Sequence, residues 1–590
     1  MDSELAGRAA CDVLIMGSGA AALCAAITAK EAGLDVIVAE KTEVFGGTSA
    51  WSGGWLWVPR NPLAVRAGIV EDAETPRRYL RALLGNRAND PRLEVFLNNG
   101  PEMIGFLEEI GAMNWRDGNK VPDFYDHDGA ALGGRSVTAA PVDGRELGPL
   151  IDKLRPPRDI LTLGGMAINS GADMAHFFNA TRSPASMWHV TKRLARHAVD
   201  LATRRRSMQL VGGNALVARL LKAAAERGVT LWSDSPVTDL TLADGRVTGA
   251  TVTQNGKARQ IEVRKGVILA AGGFPHDPAR QKGHFAHLDK RPHASAAPVT
   301  NTGDGLRIAE RLGAGIDMEL AEPAAWAPVS QVPDGKGGVK NFPHLVDRGK
   351  PGFLAVDSHG KRFVNEAVSY HDFIKTLLAV TTEGETPEAW LICDHRAQRQ
   401  FGIGWAKPFP FPLGAFLRSG YLKRGRTLTD LAAQCGVPAA ALDRTVTLFN
   451  AHARDGRDPE FHRGETPYNR VSGWAKHKGP NPSLAPLEHG PFYAVKLIPG
   501  SLGTFAGIKT GADGQVLSKT GAPIEGLYAI GNDAASIMGG HYPSGGITLG
   551  PGMTFGYVTA RRLAGLPVTG LPETNLQDDT QDIEIQRKEA

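Results

Sequence analysis

Apolar positions along the chain gather into short unbroken runs separated by glycine-rich turns, with one region of helical periodicity after another between them. CDVLIM, residues 11–16, has the length of a buried parallel strand. It leads into Gly17-Ser18-Gly19-Ala20-Ala21-Ala22, a helical pattern over 23–32 that stops at Gly33, and a second strand, DVIVAE, ending on Glu40. Two further runs, GVILAAGGF at 266–274 and GLYAIGND at 526–533, are strands that end in small residues, where ligands bind in open α/β sheets. VTDLTLADGRVTGATV, 237–252, predicts a β-hairpin about Asp244-Gly245. Helices are expected in TLTDLAAQCGVPAAALDRTVTLFNAHA, over 552–564, and over 187–207, where Lys192, Arg193, Arg196, Arg204, Arg205 and Arg206 make a basic face.

Strand, glycine turn, helix, strand and acid in that order form a dinucleotide-binding unit. Gly17 allows the tight turn, Gly19 admits backbone to a pyrophosphate, Ala22 permits close helix–strand packing, and Glu40 stands where a carboxylate accepts a ribose hydroxyl. Lys41 and FGGTSAWSGG, 45–54, follow; the glycines and small hydroxyls of that loop suit an extended flavin dinucleotide. The expected cofactor contacts are Gly17, Gly19, Ala20, Ala21, Glu40, Lys41, Gly47, Thr48, Ser49, Ser52, Gly53, Gly54, Ala271, Gly272, Gly531, Asn532, Ile547 and Leu549. The fold class is α/β: a Rossmann-like dinucleotide-binding block over 1–325 to which the chain returns at 490–570, a less regular α+β block at 326–489 between them, and a polar tail at 571–590.

Composition narrows the chemistry. In 590 residues, 66 basic and 62 acidic side chains are too balanced for nucleic acid as the main partner. Cys11, Cys24, Cys393 and Cys435 have no cluster or zinc spacing, so no metal is expected and electron transfer needs an organic cofactor. With no basic leader and no long uncharged apolar window, the expected location is the cytoplasm. The basic helix and WAKPFPFPLGAFL, 405–417, qualify that by raising peripheral membrane contact.

The segments GSGAAA, GGTSAWSGG, AAGGF, NTGDG, RFVNE and GLYAIGN resemble the fumarate reductase and succinate dehydrogenase flavoprotein superfamily over nearly the whole chain. The resemblance implies a Rossmann-like FAD-binding domain split in sequence, 1–325 and 490–570, around an inserted catalytic or capping domain at 326–489; residues 41–54 hold no histidine, so the FAD is expected to be noncovalent. Dicarboxylate reductases of that group carry an arginine four residues after the RFxNE glutamate and another before a late GG pair. Here Tyr370 and Tyr542-Pro543 occupy those places, which removes the cationic tools for a dicarboxylate.

RFVNEAVSY, PFYAVKLIPGSLGT and YPSGGITLGPGMTFGY are instead similar to the 3-ketosteroid 1-dehydrogenase family. That similarity implies 1,2-desaturation of ring A, with Tyr370 as base, Tyr542 and the Gly546 N–H polarising the ketone, and an external acceptor such as a quinone. Phe124 falls on a tyrosine of that family, with Tyr125 one residue later; either Tyr125 takes the assisting role or that hydroxyl is absent. Desaturation of another steroid bond or a smaller cyclic ketone, and reduction of an enone, remain the alternatives.

Overall fold

The computed structural model describes residues 10–169 and 171–572; most of the polar tail and the first nine residues lie outside it. Its first sheet is built on five parallel strands, in the order Thr230–Trp232, Val36–Ala39, Ala10–Met16, Lys257–Leu269 and Pro523–Ala529. The strand Val36–Ala39 is buried along its whole length, which is why its sequence is uniformly apolar rather than alternating. The helix Ala20–Glu31 packs on the helices Leu549–Leu563 and Gly212–Glu226. A Cβ on Gly556 would stand 2.5 Å from the Ala21 carbonyl oxygen, so the first of these crossings needs glycine.

The expected hairpin forms between Val237–Ala243 and Arg246–Gln254, with Asp244 and Gly245 both at positive φ, the backbone of a two-residue type I′ turn. A second such turn at Asn255-Gly256 adds Lys257–Leu269. That strand then runs inward to the Ala271-Gly272 loop, so surface meander and cofactor loop are one continuous ribbon.

The second sheet is organised on Phe492–Thr504, paired antiparallel to Ala324–Pro333 on one side and to Ala389–Cys393 on the other. This differs from the boundary expected at 490. Phe492–Thr504 is buried on both faces and finds partners in the inserted sheet; the chain rejoins the first sheet only with Gln515–Leu517 and Pro523–Ala529. Ala294–Ser295 likewise pairs with Phe492–Thr504, ahead of the expected boundary at 325.

The helix Tyr370–Val380 packs on this second sheet, and RFVNE fixes where it starts. Glu366 has no exposed surface; it accepts from Arg362 at 2.9 Å, from Arg463 at 3.0 Å and from the Ala355 N–H at 3.1 Å. Arg362 turns its other edge to Asp458 at 2.7 Å. Asn365 donates to Asn469, which in turn donates to the Ala367 carbonyl, and Arg348 donates to the carbonyls of Glu366 and Val368. Ser369 then caps the helix by accepting from the Asp372 N–H.

Burial alone pushes the Glu366 carboxyl up, but Arg362 and Arg463 outweigh it and hold it below the ordinary glutamate value. A folded-state value below the unfolded one gives stability that is present above the unfolded value and lost as pH falls through the folded one. Removing one partner from a buried ion cluster costs about 3–5 kcal/mol. Glu366→Gln is therefore expected to lower the thermal midpoint clearly at pH 7, and the gap to wild type to narrow below about pH 4. A gap independent of pH would contradict the charge assignment.

Candidate active site

One cavity of about 1610 Å³ runs from the carboxyl ends of the parallel strands to the second sheet. Gly17, Gly19, Ala20 and Ala21 line it from the first turn, and Glu40 and Lys41 from the end of the second strand. Gly47, Thr48, Ser49, Ser52, Gly53 and Gly54 supply a continuous stretch of wall, and Ala271, Gly272, Gly531, Asn532 and Leu549 come from the later loops. Ile547 does not line it; this apolar side chain, next to the Gly546 turn, is buried in the core.

The residues present fit an FAD. Gly17 sits at φ 102°, and a Cβ there would lie 2.4 Å from the Ala270 carbonyl oxygen. The helix Ala20–Glu31 opens with no cap from its own N-cap residue, Gly19, and no acidic residue in its first turn, so its positive end faces the cavity where an anion such as a pyrophosphate would lie. The Ser49 hydroxyl accepts from the Ala20 N–H at 3.0 Å and ties the 45–54 loop to that turn. Glu40 is oriented by the Ser18 hydroxyl at 2.6 Å and by Thr42. Lys41 is not a free cation at the wall: its ammonium pairs with Asp304 and donates to Thr302.

Some residues on this wall left no pattern to read in the sequence. Arg155 and Arg158 line the cavity and lie over Trp51 at 5.5 and 5.1 Å; burial pulls Arg158 down to about 10. Asp533 lies behind the wall, accepting from the Ala271 and Gly273 N–H groups at 2.6 and 2.8 Å, and thereby clasps two loops that line it. Burial pushes its carboxyl up to about 6 against the pull of those bonds.

At the second-sheet end stand Tyr370 and Tyr542, with Gly545 and Gly546 beside them. The two rings meet edge to face, 4.9 Å between centroids, at one end of the cavity. Burial pushes both phenols up, Tyr542 to about 12 and Tyr370 well above its ordinary value, the latter also through its neighbour Tyr542. Gly546 takes φ 105°, where a Cβ would strike the Trp55 carbonyl, so the turn after Ser544 needs glycine.

Tyr125 is not brought to this group. Its hydroxyl donates to Asp372 at 3.0 Å, outside the cavity wall, while Phe124 faces in. The register is locked because the Phe124 N–H and the Tyr79 hydroxyl both donate to the Pro543 carbonyl, at 2.9 and 2.6 Å. Phe124 stacks on Tyr542 at 5.8 Å and lies 4.3 Å from Tyr468, a cavity-lining tyrosine that the sequence did not single out. Tyr468 adjoins Asn469, so the network that starts the Tyr370 helix also sets the segment carrying Tyr468.

Gly17→Val would drive a branched side chain into the Ala270 carbonyl and out of the glycine region of φ. Purified variant is expected to contain less than a tenth of the wild-type flavin per chain, read from the ratio of 450 to 280 nm absorbance. Wild-type flavin content would contradict the cradle described.

Comparison with known proteins agrees with this construction. The FAD binding domain family matches residues 12–549. The 4-oxocyclohex-2-ene-1-carboxylate 5-dehydrogenase of Sinomonas cyclohexanicum is 42% identical over 94% of both chains. A 3-oxosteroid 1-dehydrogenase of Mycolicibacterium smegmatis is 35% identical over 94% of this chain and 97% of its own. The crystal structure of 3-ketosteroid delta1-dehydrogenase from Sterolibacterium denitrificans in complex with 1,4-androstadiene-3,17-dione superposes with a TM-score of 0.86 at 36% identity, covering 94% of this chain and all of that one. A cavity built around a glycine turn and the helix that follows it, matched over most of the chain, thus has one reading: the chain belongs to the FAD binding domain family and is an FAD-dependent oxidoreductase acting on CH–CH groups.

Proposed function

We propose that the chain desaturates a ring ketone beside its carbonyl, with a 3-ketosteroid as substrate and 1,2-desaturation of ring A as the reaction. The observation that carries this reading is the juxtaposed pair Tyr370 and Tyr542, edge to face at 4.9 Å, at one end of the FAD cavity. When bound, FAD supplies the hydride acceptor.

Both tyrosines are neutral at ordinary pH, so neither serves as a free phenolate base. A pair of neutral hydroxyls can still move the α-proton. Tyr370 takes the proton from carbon as it passes its own to Tyr542, and Tyr542 passes its own to the ketone oxygen. One C–H bond breaks and one O–H bond forms on the substrate, leaving the enol with both tyrosines neutral; as a hydride leaves the adjacent ring carbon for the flavin, the enol hydroxyl would give up its proton and restore the ketone beside the new C=C bond. The Gly546 N–H is assigned as the second donor to the ketone oxygen, in the manner of an oxyanion hole. Tyr125, turned to Asp372, takes no part.

The apolar part of the cavity wall, with Phe178, Leu161 and Trp474, supports a four-ring substrate. The 42% identity to a dehydrogenase of an oxocyclohexene carboxylate supports a second reading, a smaller ring ketone bearing an acid group. Lys350 and Arg470 on the wall suit that carboxylate; burial pulls the Lys350 amine down to about 8 while it donates to the Ser472 and Gly473 carbonyls. For either substrate we assign reoxidation to an external acceptor of the quinone class.

Anaerobic mixing of the yellow protein with androst-4-ene-3,17-dione is expected to bleach the flavin and yield the dienone. Bleaching only by 4-oxocyclohexanecarboxylate would move the substrate to the second reading. Tyr370→Phe and Tyr542→Phe are each expected to slow bleaching about 10²–10⁴-fold with flavin content unchanged. Wild-type rates in both would overturn the relay.

A further inference from the structure

The helix Pro184–Arg204 faces the protein the wrong way round for a helix in water. Its inner face is polar: Arg193 pairs with Asp173, His197 bonds the Gly164 carbonyl at 2.9 Å, and Asp200 accepts from Arg145 and from the Met208 N–H. Its outer face is apolar. Met187, Trp188, Leu194, Val199 and Leu201 fall within an arc of roughly 160° at 100° per residue. Met187, Trp188 and Val199 are 58%, 66% and 57% exposed. A water-facing helix carries the opposite pattern.

Three observations identify what meets this face. Its flank is basic: Lys192, Arg204 and Arg205 are exposed, and Asp200, the helix's one acidic residue, is buried on the inner side. A second exposed apolar element, Phe409 and Phe411, belongs to the same rim. Arg399 lies over Phe409 at 3.9 Å and near Arg182, and Phe401 meets Phe178 at 5.5 Å. The rim also adjoins the cavity wall, because the helix packs on Ala172–Phe178, whose Met174 and Phe178 line the cavity. A second copy of the chain would bring one basic rim against another, whereas an anionic surface meets it with opposite charge.

We propose that the outer face of Pro184–Arg204, with the Phe409–Phe411 loop, docks on an anionic lipid bilayer. The apolar side chains enter the acyl boundary, the basic flank meets the headgroups, and the cavity wall at Met174 and Phe178 lies beside the membrane-facing helix. No helix among the described residues is long and apolar enough to cross a bilayer, so the attachment is peripheral.

The test is co-sedimentation of the full-length flavoprotein with vesicles of phosphatidylglycerol and phosphatidylcholine, 3:7 by mole, at low and high salt. The expected result is binding that weakens with salt, and at least tenfold weaker binding of Trp188→Glu/Leu194→Glu/Val199→Glu at unchanged flavin content. A milder Phe409→Ser/Phe411→Ser variant is expected to weaken binding as well. Absence of wild-type binding, or equal binding by both variants, would overturn the proposal. So would a dimer in light scattering that the triple variant converts to monomer, which would assign the face to a second copy. None of these readouts depends on which ketone the cavity takes.

Discussion

A carboxylate closed off from water, Glu366, sits between two guanidiniums, and the two-tyrosine end of the cavity is hung from it. Neither charge can be left buried alone, since the penalty for an unpaired buried ion exceeds what the surrounding packing returns. The cluster therefore forces residues 348–366 and 458–469 together and fixes the first turn of the helix that begins at Tyr370. RFVNE thus acts on the site without touching it. Its arginine and glutamate set the position of a tyrosine four residues downstream, and Asn365 ties in the segment that bears Tyr468.

The same exclusion of water that makes the cluster necessary shapes the chemistry at its end. Tyr370 and Tyr542 lie among Phe124, Phe505 and Tyr468, so ionising either phenol is costly. A site of this kind works with proton positions rather than with a standing negative charge. Two neighbouring hydroxyls can pass a proton from carbon to oxygen without separating charge, and low polarity favours that route over a phenolate.

Much of this was legible in the sequence because it rests on local backbone requirements. The first glycine turn, the 45–54 loop and the two strand-to-turn runs are short stretches whose residue types follow from close backbone approach, and all of them line one cavity. Tyr370, Tyr542 and Gly546 were named through the resemblance to the 3-ketosteroid 1-dehydrogenase family, and the fold brings all three to the wall of that cavity. What escaped depends on contacts between distant segments. Phe492–Thr504 reads as an apolar strand in either sheet, and only its partners decide which. Whether Phe124 or Tyr125 faces the cavity is set by a carbonyl more than four hundred residues away, that of Pro543. Tyr468, Arg155 and Arg158 reach the wall from irregular loops, where no periodicity marks them. The helix Pro184–Arg204 showed its basic residues in sequence, but that its apolar side faces outward follows from Asp173, Asp143 and Arg145 holding its polar side inward.

The most direct test of this account is a double-mutant cycle on the rate of anaerobic flavin bleaching by a ring ketone, using Glu366→Gln, Tyr370→Phe and the double variant at a temperature where all three stay folded and retain flavin. If the buried cluster acts through Tyr370, Glu366→Gln slows bleaching in the wild-type background and adds little once Tyr370 is phenylalanine. If the two losses simply multiply, Glu366 does not act on the chemistry through Tyr370, and the dependence of the site on that buried carboxylate is wrong.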